Sequence, residues 1–187
     1  MRITGGEWCS RRLQGPGKGK ELRPTPDAMR ERAFAILGQR VVGTRFLDLY
    51  AGTGAVGLEA LSRGAHSVVF VDRQRAAARL IEKNLAAFDL DADRAELMMR
   101  PVLAAADRLA GRGDCFHIAW ADPPFECWSE GLEVVVKLFE ESLLKAGALA
   151  CLECPAKADV AGLLPPNLQI ARNLAGSASR VVMIEEA

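Results

Sequence analysis

The 187-residue chain carries 24 Lys/Arg against 24 Asp/Glu, a net charge of zero, and 50% of its residues are hydrophobic. This length supports one sizeable folded domain, and no segment reaches the roughly 18 apolar residues that a membrane span requires. The stretch MRITGGEWCSRRLQ also lacks the apolar core of a secretory signal peptide. We therefore expect a cytoplasmic protein with no membrane partner.

The zero net charge conceals an uneven distribution. Residues 1–40 hold nine Lys/Arg and four Asp/Glu, a charge of +5, so residues 41–187 carry −5. A basic segment on an acidic body suits an anionic partner that contacts one side of the protein. A solvated tail would have the same composition, so charge alone leaves both interpretations open. We divide the chain into a basic N-terminal extension, 1–40, and a main domain, 41–187.

The extension is predicted to contain a short β-hairpin, a loop and one helix. The helix is expected within 25–38, with Thr25 as its N-cap, Pro26 at the first helical position and Gly38 as its stop. Its predicted apolar face consists of Met29, Ala33, Ile36 and Leu37.

From residue 45 onward, predicted strands and helices alternate. Apolar strands that alternate with helices predict an α/β fold with a mostly parallel sheet covered on both faces. The last two segments, LQIARNLA and SRVVMIEE, are predicted to form an antiparallel pair that completes a seven-stranded sheet. The other strands are expected at 45–50, 67–72, 95–99, 115–121 and 147–153, and the helices at 55–63, 74–87, 102–111 and 129–145.

The five cysteines are expected to be thiols, because disulfides are rare in the cytoplasm. Cys151 and Cys154 form a single C-x-x-C, but a second pair and nearby histidines are missing, so the metal signal is weak. We predict buried thiols and no metal site.

The first strand-to-helix turn, within LDLYAGTGAVGLEAL, places Gly52, Gly54 and Gly57 in a G-x-G-x-x-G pattern. Such glycines allow a tight turn and close approach to a ligand, but nicotinamide- and flavin-binding folds use the same spacing. Asp48 lies four residues before the loop, and Asp72 ends the next strand, where it can accept hydrogen bonds from ribose hydroxyls. This combination resembles the S-adenosylmethionine site of class I methyltransferases, in which a carboxylate near the cationic sulfonium is favourable. The predicted cofactor-binding residues are Asp48, Tyr50, Gly52, Gly54, Asp72 and Arg73.

The stretch IAWADPPFECW places Asp122, Pro123, Pro124 and Phe125 at the end of the fourth predicted strand. Proline has no N–H for a strand ladder, so the strand should end at Ala121 and a stiff loop should follow. In this fold the fourth strand lies beside the first, so the loop should border the cofactor. DPPF resembles the motif of methyltransferases that act on planar exocyclic nitrogens.

The residue types of this loop suit that chemistry. An amine conjugated to a ring is a poor nucleophile, because its lone pair is delocalised. The carboxylate of Asp122 and the carbonyl of Pro123 can accept the two amine hydrogens and orient the lone pair. Phe125 can stack on the base. Pro123 and Pro124 keep the loop stiff.

With these motifs, the chain resembles the bacterial 16S ribosomal RNA guanine-N2 methyltransferases of the RsmD type along nearly its whole length. RITGGEWCSRRL resembles the opening motif of that family, and LRPTPDAMRERAFAIL resembles its next motif. LDLYAGTGAVGLEALSRGA is similar to its cofactor loop, and ADPPF to its catalytic loop.

The resemblance implies a Rossmann-like class I fold and methyl transfer from S-adenosylmethionine to N2 of one guanine in 16S rRNA. It also implies a substrate that is a largely assembled small subunit, and we expect the enzyme to be a monomer. Residues predicted near the RNA are Arg11, Arg12, Arg23, Thr25, Asp27 and Arg30.

Some positions depart from the family pattern. Cys9-Ser10 stands where a basic residue and glycine are frequent, and no acid after the third strand is placed to read the adenine ring of the cofactor. Two other functions stay open from the sequence: an amino methyltransferase acting on DNA adenine or protein glutamine, and a nicotinamide-dependent oxidoreductase.

Overall fold

The computed structural model describes residues 1–15 and 27–187. Within these ranges the chain forms seven strands and five α-helices. The helices are α1 (Asp27–Leu37), α2 (Ala55–Ser62), α3 (Arg75–Ala87), α4 (Val102–Gly111) and α5 (Trp128–Glu140). The strands are β1 (Arg45–Leu49), β2 (Ser67–Asp72), β3 (Ala95–Met99), β4 (Phe116–Ala121), β5 (Leu144–Pro155), β6 (Leu168–Ala175) and β7 (Ser179–Glu186).

The strands form one sheet in the order β3-β2-β1-β4-β5-β7-β6. The first five strands are parallel, and β7 lies antiparallel between β5 and β6. The predicted sheet is therefore confirmed, including the position of β4 beside β1. The chain crosses from β3 to β4 over β2 and β1, so the C-terminal ends of β1 and β4 border a crevice where open α/β sheets bind ligands.

Two hydrophobic clusters sandwich the sheet. The cluster on one face holds residues of α1, α2 and α3, and the cluster on the other face holds residues of α4 and α5. Alternate residues of β4 point to opposite faces, so Trp120 packs with the first cluster and Ala121 with the second. Both faces are covered, which explains why the central strands are almost continuously apolar.

The first 15 residues pack onto the main domain. Arg2 and Arg12 form an antiparallel bridge, so the predicted hairpin is present in a minimal form. Ile3 and Leu13 are buried in the first cluster, and the ring of Trp8 lies 4.8 Å from that of Phe88. This part of the extension therefore belongs to the folded core.

A buried charged network joins the extension to α2. Both carboxylate oxygens of Glu59 are used: the backbone N–H and the hydroxyl of Thr4 donate to them at 2.8 and 2.7 Å. The guanidinium groups of Arg30 and Arg63 donate at 3.2 and 2.8 Å. Arg30 also donates to the carbonyl of Arg2. The side chains of Glu59 and Arg30 have no exposed surface, so the network fixes α1 and residues 2–4 against α2.

Two details of the predicted helices were wrong. Ile36 is 43% exposed, whereas Arg30 and Phe34 are buried with Leu37. The buried arc of α1 is centred near Ala33 and Leu37, so Ile36 falls just beyond its edge.

The second error concerns α5, which ends at Glu140 rather than at residue 145. Ser142 adopts a left-handed conformation, and the N–H groups of Ser142 and Leu143 donate to the carbonyls of Phe139 and Leu138. This is a Schellman ending, which usually carries glycine in the left-handed position. Because Ser142 stands where glycine is usual, no sequence signal marks the end of the helix here. Strand β5 then starts at Leu144.

Cys151 and Cys154 are free and buried, as predicted. Among residues 1–15 and 27–187, no group of three or more His, Cys, Asp and Glu is arranged to hold a metal. No helix within those ranges is long and apolar enough to cross a membrane.

Candidate active site

A cavity of about 650 Å³ lies at the C-terminal edge of the sheet. The turns that follow β1, β2, β3 and β4 line it, together with the end of β5 and the start of β7. It therefore occupies the crevice that the strand order predicts. All four residues of the DPPF stretch line this cavity, as do five of the six predicted cofactor-binding residues, Asp48, Tyr50, Gly52, Asp72 and Arg73.

Asp48 reaches the cavity from the end of β1 and also holds the start of α2. One of its oxygens accepts a hydrogen bond from the backbone N–H of Gly57 at 2.9 Å, which satisfies a donor in the first turn of the helix. Burial raises the pKa of this carboxyl well above its ordinary value; the Gly57 bond lowers it, and the nearby carboxyls of Asp122 and Asp72 raise it. Asp48 thus caps the start of α2 and lines the cavity with the same side chain.

A pH-dependent stability follows from this buried carboxyl. Because the pKa of Asp48 is higher in the folded protein than in the unfolded chain, Asp48 lowers the free energy of unfolding as the pH rises above about pH 4, the ordinary pKa of an aspartate. We expect Asp48→Asn, which keeps an acceptor for Gly57, to stabilise the protein increasingly as the pH rises over the range above about pH 4. Urea unfolding across this range measures it, with the exposed Asp93→Asn as control. A constant difference between Asp48→Asn and the wild type across that range would contradict the assignment.

The glycine loop turns through several left-handed residues. Gly52 has φ 55° and Gly54 has φ 75°, and Tyr50 takes φ 58° despite its side chain. A Cβ on Gly52 would meet nothing closer than 3.8 Å, so this glycine provides the turn and an open approach to the cavity.

The other two glycines serve packing. A Cβ on Gly57 would lie 2.3 Å from the ring of Phe70, so this residue allows α2 to pack closely on β2. Gly54 is buried against Ile81 and Phe70 and is not among the residues that line the cavity. Gly54 turns the chain into α2 with its left-handed backbone, and its contact with a ligand stays a prediction.

Asp72 organises the loops on both sides of it. Its two oxygens accept hydrogen bonds from the backbone N–H of Gly52 at 2.9 Å and of Gln74 at 2.8 Å. A carboxylate has about four acceptor positions, so these two bonds are compatible with further bonds to ligand hydroxyls. Asp72 therefore couples the glycine loop to the end of β2.

The DPPF loop starts where β4 ends, at Ala121, as predicted. Pro123 is buried against α5: a Cβ on Gly131 would lie only 2.6 Å from its ring, and Leu152 is beside it. The carbonyl of Pro124 accepts a hydrogen bond from the N–H of Cys127 at 2.8 Å, which forms a short 3₁₀ turn that carries the half-buried Phe125. The packing of Pro123 and this turn restrain the two ends of the loop.

The structure adds cavity residues that the sequence interpretation did not select. Glu153 ends an apolar run, the same signal that pointed to Asp72 and Asp122, and it is only 5% exposed. Its oxygen accepts a hydrogen bond from the hydroxyl of Ser179 at 2.7 Å. Pro101, Val102 and Leu103 form an apolar wall after β3, where no acid was found in the sequence.

The cavity is strongly acidic. Among the described residues that line it, six are carboxylates and one is basic, Arg73. The carboxylates are Asp48, Asp72, Asp122, Glu126, Glu130 and Glu153. This charge favours a cationic ligand and disfavours a phosphate-rich one.

The residues predicted near RNA differ in their exposure and contacts. Arg11 and Arg12 are exposed on the N-terminal segment, and Arg11 also stacks on Phe88 and donates to the carbonyl of Ala87. Arg30 is fully buried in the Glu59 network, which corrects its expected contact with phosphate, and it also pairs with Asp27. Arg23 and Thr25 lie outside the described residues.

The strand order and the ligand crevice define a class I methyltransferase fold. A solved structure from Thermus thermophilus, described as a hypothetical protein, is 28% identical with a TM-score of 0.79, and the match covers 99% of both chains. The solved yhhF protein of Escherichia coli is 31% identical with a TM-score of 0.81, over 100% of this chain and 97% of that one.

The chain belongs to the family described as "Conserved hypothetical protein 95", whose model matches residues 1–183. It is 38% identical to the ribosomal RNA small subunit methyltransferase D of Escherichia coli over 76% of this chain and 68% of that protein. It is 32% identical to the protein of the same name from Haemophilus influenzae, over 82% and 78% of the two chains.

Proposed function

We propose that this protein transfers a methyl group from S-adenosylmethionine to the exocyclic N2 of a guanine in small-subunit ribosomal RNA, in the cytoplasm. The observation that carries the proposal is that the DPPF loop lines the same cavity as Asp48, Gly52 and Asp72. This shared lining supports a donor site next to a site for a planar amine. The names of the relatives support ribosomal RNA as the substrate.

The residues present fit S-adenosylmethionine. Gly52 leaves open space on the cavity side of its turn, and the acidic lining suits a ligand with a sulfonium and an ammonium group. Asp72 lines the cavity and would accept the ribose hydroxyls, and Pro101, Val102 and Leu103 would offer an apolar surface for the adenine ring. When bound, the cofactor supplies an electrophilic methyl group.

The DPPF loop would then position the amine of the base. Asp122 and the carbonyl of Pro123 accept its hydrogens, which favours a pyramidal nitrogen with its lone pair directed at the donor. Phe125 stacks on the base. Because Pro123 is already packed against Gly131, little ordering accompanies base binding.

The oxidoreductase alternative is disfavoured by electrostatics. A nicotinamide dinucleotide would bring a pyrophosphate into a cavity with six carboxylates and a single basic side chain among its described lining residues. The DPPF loop would have no role in hydride transfer. An amino methyltransferase for DNA adenine or protein glutamine shares the DPPF chemistry, but the names of the relatives favour ribosomal RNA over DNA or protein as the substrate.

Two assays test the proposal. Calorimetry should detect S-adenosylmethionine binding and no NAD binding. Tritiated methyl groups should be transferred by the monomeric enzyme to small ribosomal subunits from a strain that lacks the gene, and not to large subunits or DNA. Binding of NAD alone, or methylation of DNA in place of subunits, would overturn it.

A further inference from the structure

Glu153 lies beside Asp122 and has no role in the positioning of the amine by the DPPF loop. In the parallel pairing of β4 and β5, Ala121 lies opposite Leu152, so the next residues of the two strands, Asp122 and Glu153, are level with each other. Neighbouring strands are about 4.8 Å apart. Both residues line the cavity, so two carboxylates border the space assigned to the base.

The side chain of Glu153 is held in place. It is 5% exposed, and the Ser179 hydroxyl at the start of β7 donates to its Oε1 atom. Burying a carboxylate is costly unless hydrogen bonds compensate. A carboxylate accepts about four hydrogen bonds, so the Ser179 bond fixes its orientation and is compatible with a bond to a ligand.

Guanine has a hydrogen-bond donor next to its N2 amine, and this donor suits the carboxylate of Glu153. Next to the N2 amine, guanine carries the N1–H donor, whereas adenine has a bare N1 acceptor. The amine of guanine is flanked by N1 and N3, and only N1 carries a hydrogen that the carboxylate of Glu153, on the adjacent strand, could accept.

We infer that Glu153 determines specificity for guanine by accepting the N1–H hydrogen, with Ser179 as the residue that orients it. This inference rests on the proposed guanine-N2 function. An acceptor at this point rejects any base with an acceptor at N1, because two acceptors would face each other without a hydrogen.

2-Aminopurine is the discriminating probe, because it keeps the N2 amine and lacks the N1 hydrogen. The substrates are small subunits whose ribosomal RNA carries guanine or, introduced by ligation, 2-aminopurine at the methylated position. The quantity measured in each variant is the kcat/KM for guanine divided by the kcat/KM for 2-aminopurine. Comparing this ratio between variants cancels any contribution from O6, which 2-aminopurine also lacks.

In Glu153→Gln, the Ser179 hydroxyl should keep the amide oxygen, so the NH₂ group would face the base. The variant should then repel guanine N1–H and bind the N1 of 2-aminopurine, and the ratio should fall at least about 10-fold. Ser179→Ala should lower the ratio less, and it carries the test if the glutamine variant does not fold. Glu126→Gln, which removes one charge from the same cavity, should leave the ratio unchanged.

Each outcome is decisive. An unchanged ratio in Glu153→Gln, or an equal fall in Glu126→Gln, overturns the inference while the proposed function stands. A wild-type enzyme that transfers methyl groups to neither base overturns the proposed function itself, and with it the role of Glu153.

Discussion

Asp122→Ala is expected to lower kcat at least about 100-fold, equivalent to about 2.7 kcal/mol of transition-state stabilisation. The carboxylate lies at the start of the rigid loop after β4, where it would accept a hydrogen from the amine and hold the lone pair toward the methyl donor. Single-turnover methylation measures this loss. Calorimetry serves as the control, because affinity for S-adenosylmethionine should change much less than kcat.

Asparagine at the same position separates two mechanisms. Asp122→Asn retains an acceptor oxygen and removes the charge, so it should keep more activity than Asp122→Ala if the group positions the amine. Equal loss in both variants would indicate that Asp122 removes a proton as a base, and the positioning mechanism would be wrong. Phe125→Tyr should stay active because its ring still stacks, whereas Phe125→Ala should weaken binding of the base by roughly 1–3 kcal/mol.

Arg30→Ala should have the largest effect on stability, a loss of about 3–5 kcal/mol in the free energy of unfolding. The substitution leaves the carboxylate of Glu59 buried without one of its two cationic partners and opens space under α1. Chemical denaturation measures the loss.

The matched control for Arg30→Ala is Arg32→Ala on the same helix. Arg32 is exposed and donates only to the carbonyl of Ala175 among the described contacts, so its removal should cost less than about 1 kcal/mol. Equal losses in the two variants would contradict the structural role assigned to the Arg30–Glu59 pair.

Much of the fold could be predicted because parallel strands covered on both faces produce apolar runs that end at polar residues. SVVFVD and FHIAWA therefore marked β2 and β4, and the acids Asp72, at the end of the first, and Asp122, directly after the second, marked the site. The end of α5 could not be predicted, because a left-handed serine gives no sequence signal comparable to glycine.

The roles of Arg30 and Glu153 required tertiary information. A basic residue in a basic segment is usually exposed, and only the packing of α1 on α2 brings Arg30 to Glu59, 29 residues away in the chain. Glu153 ends an apolar run as Asp72 does, but only the register of β4 and β5 places it level with Asp122.

The most direct test of the account is the identity of the methylated nucleoside. Small subunits from a strain lacking the gene should be incubated with the enzyme and S-adenosylmethionine, and their ribosomal RNA digested for mass spectrometry. The expected product is N2-methylguanosine, formed by the wild type and at least about 100-fold more slowly by Asp122→Ala. A methylated adenosine, or a methyl group recovered on ribosomal protein, would contradict it.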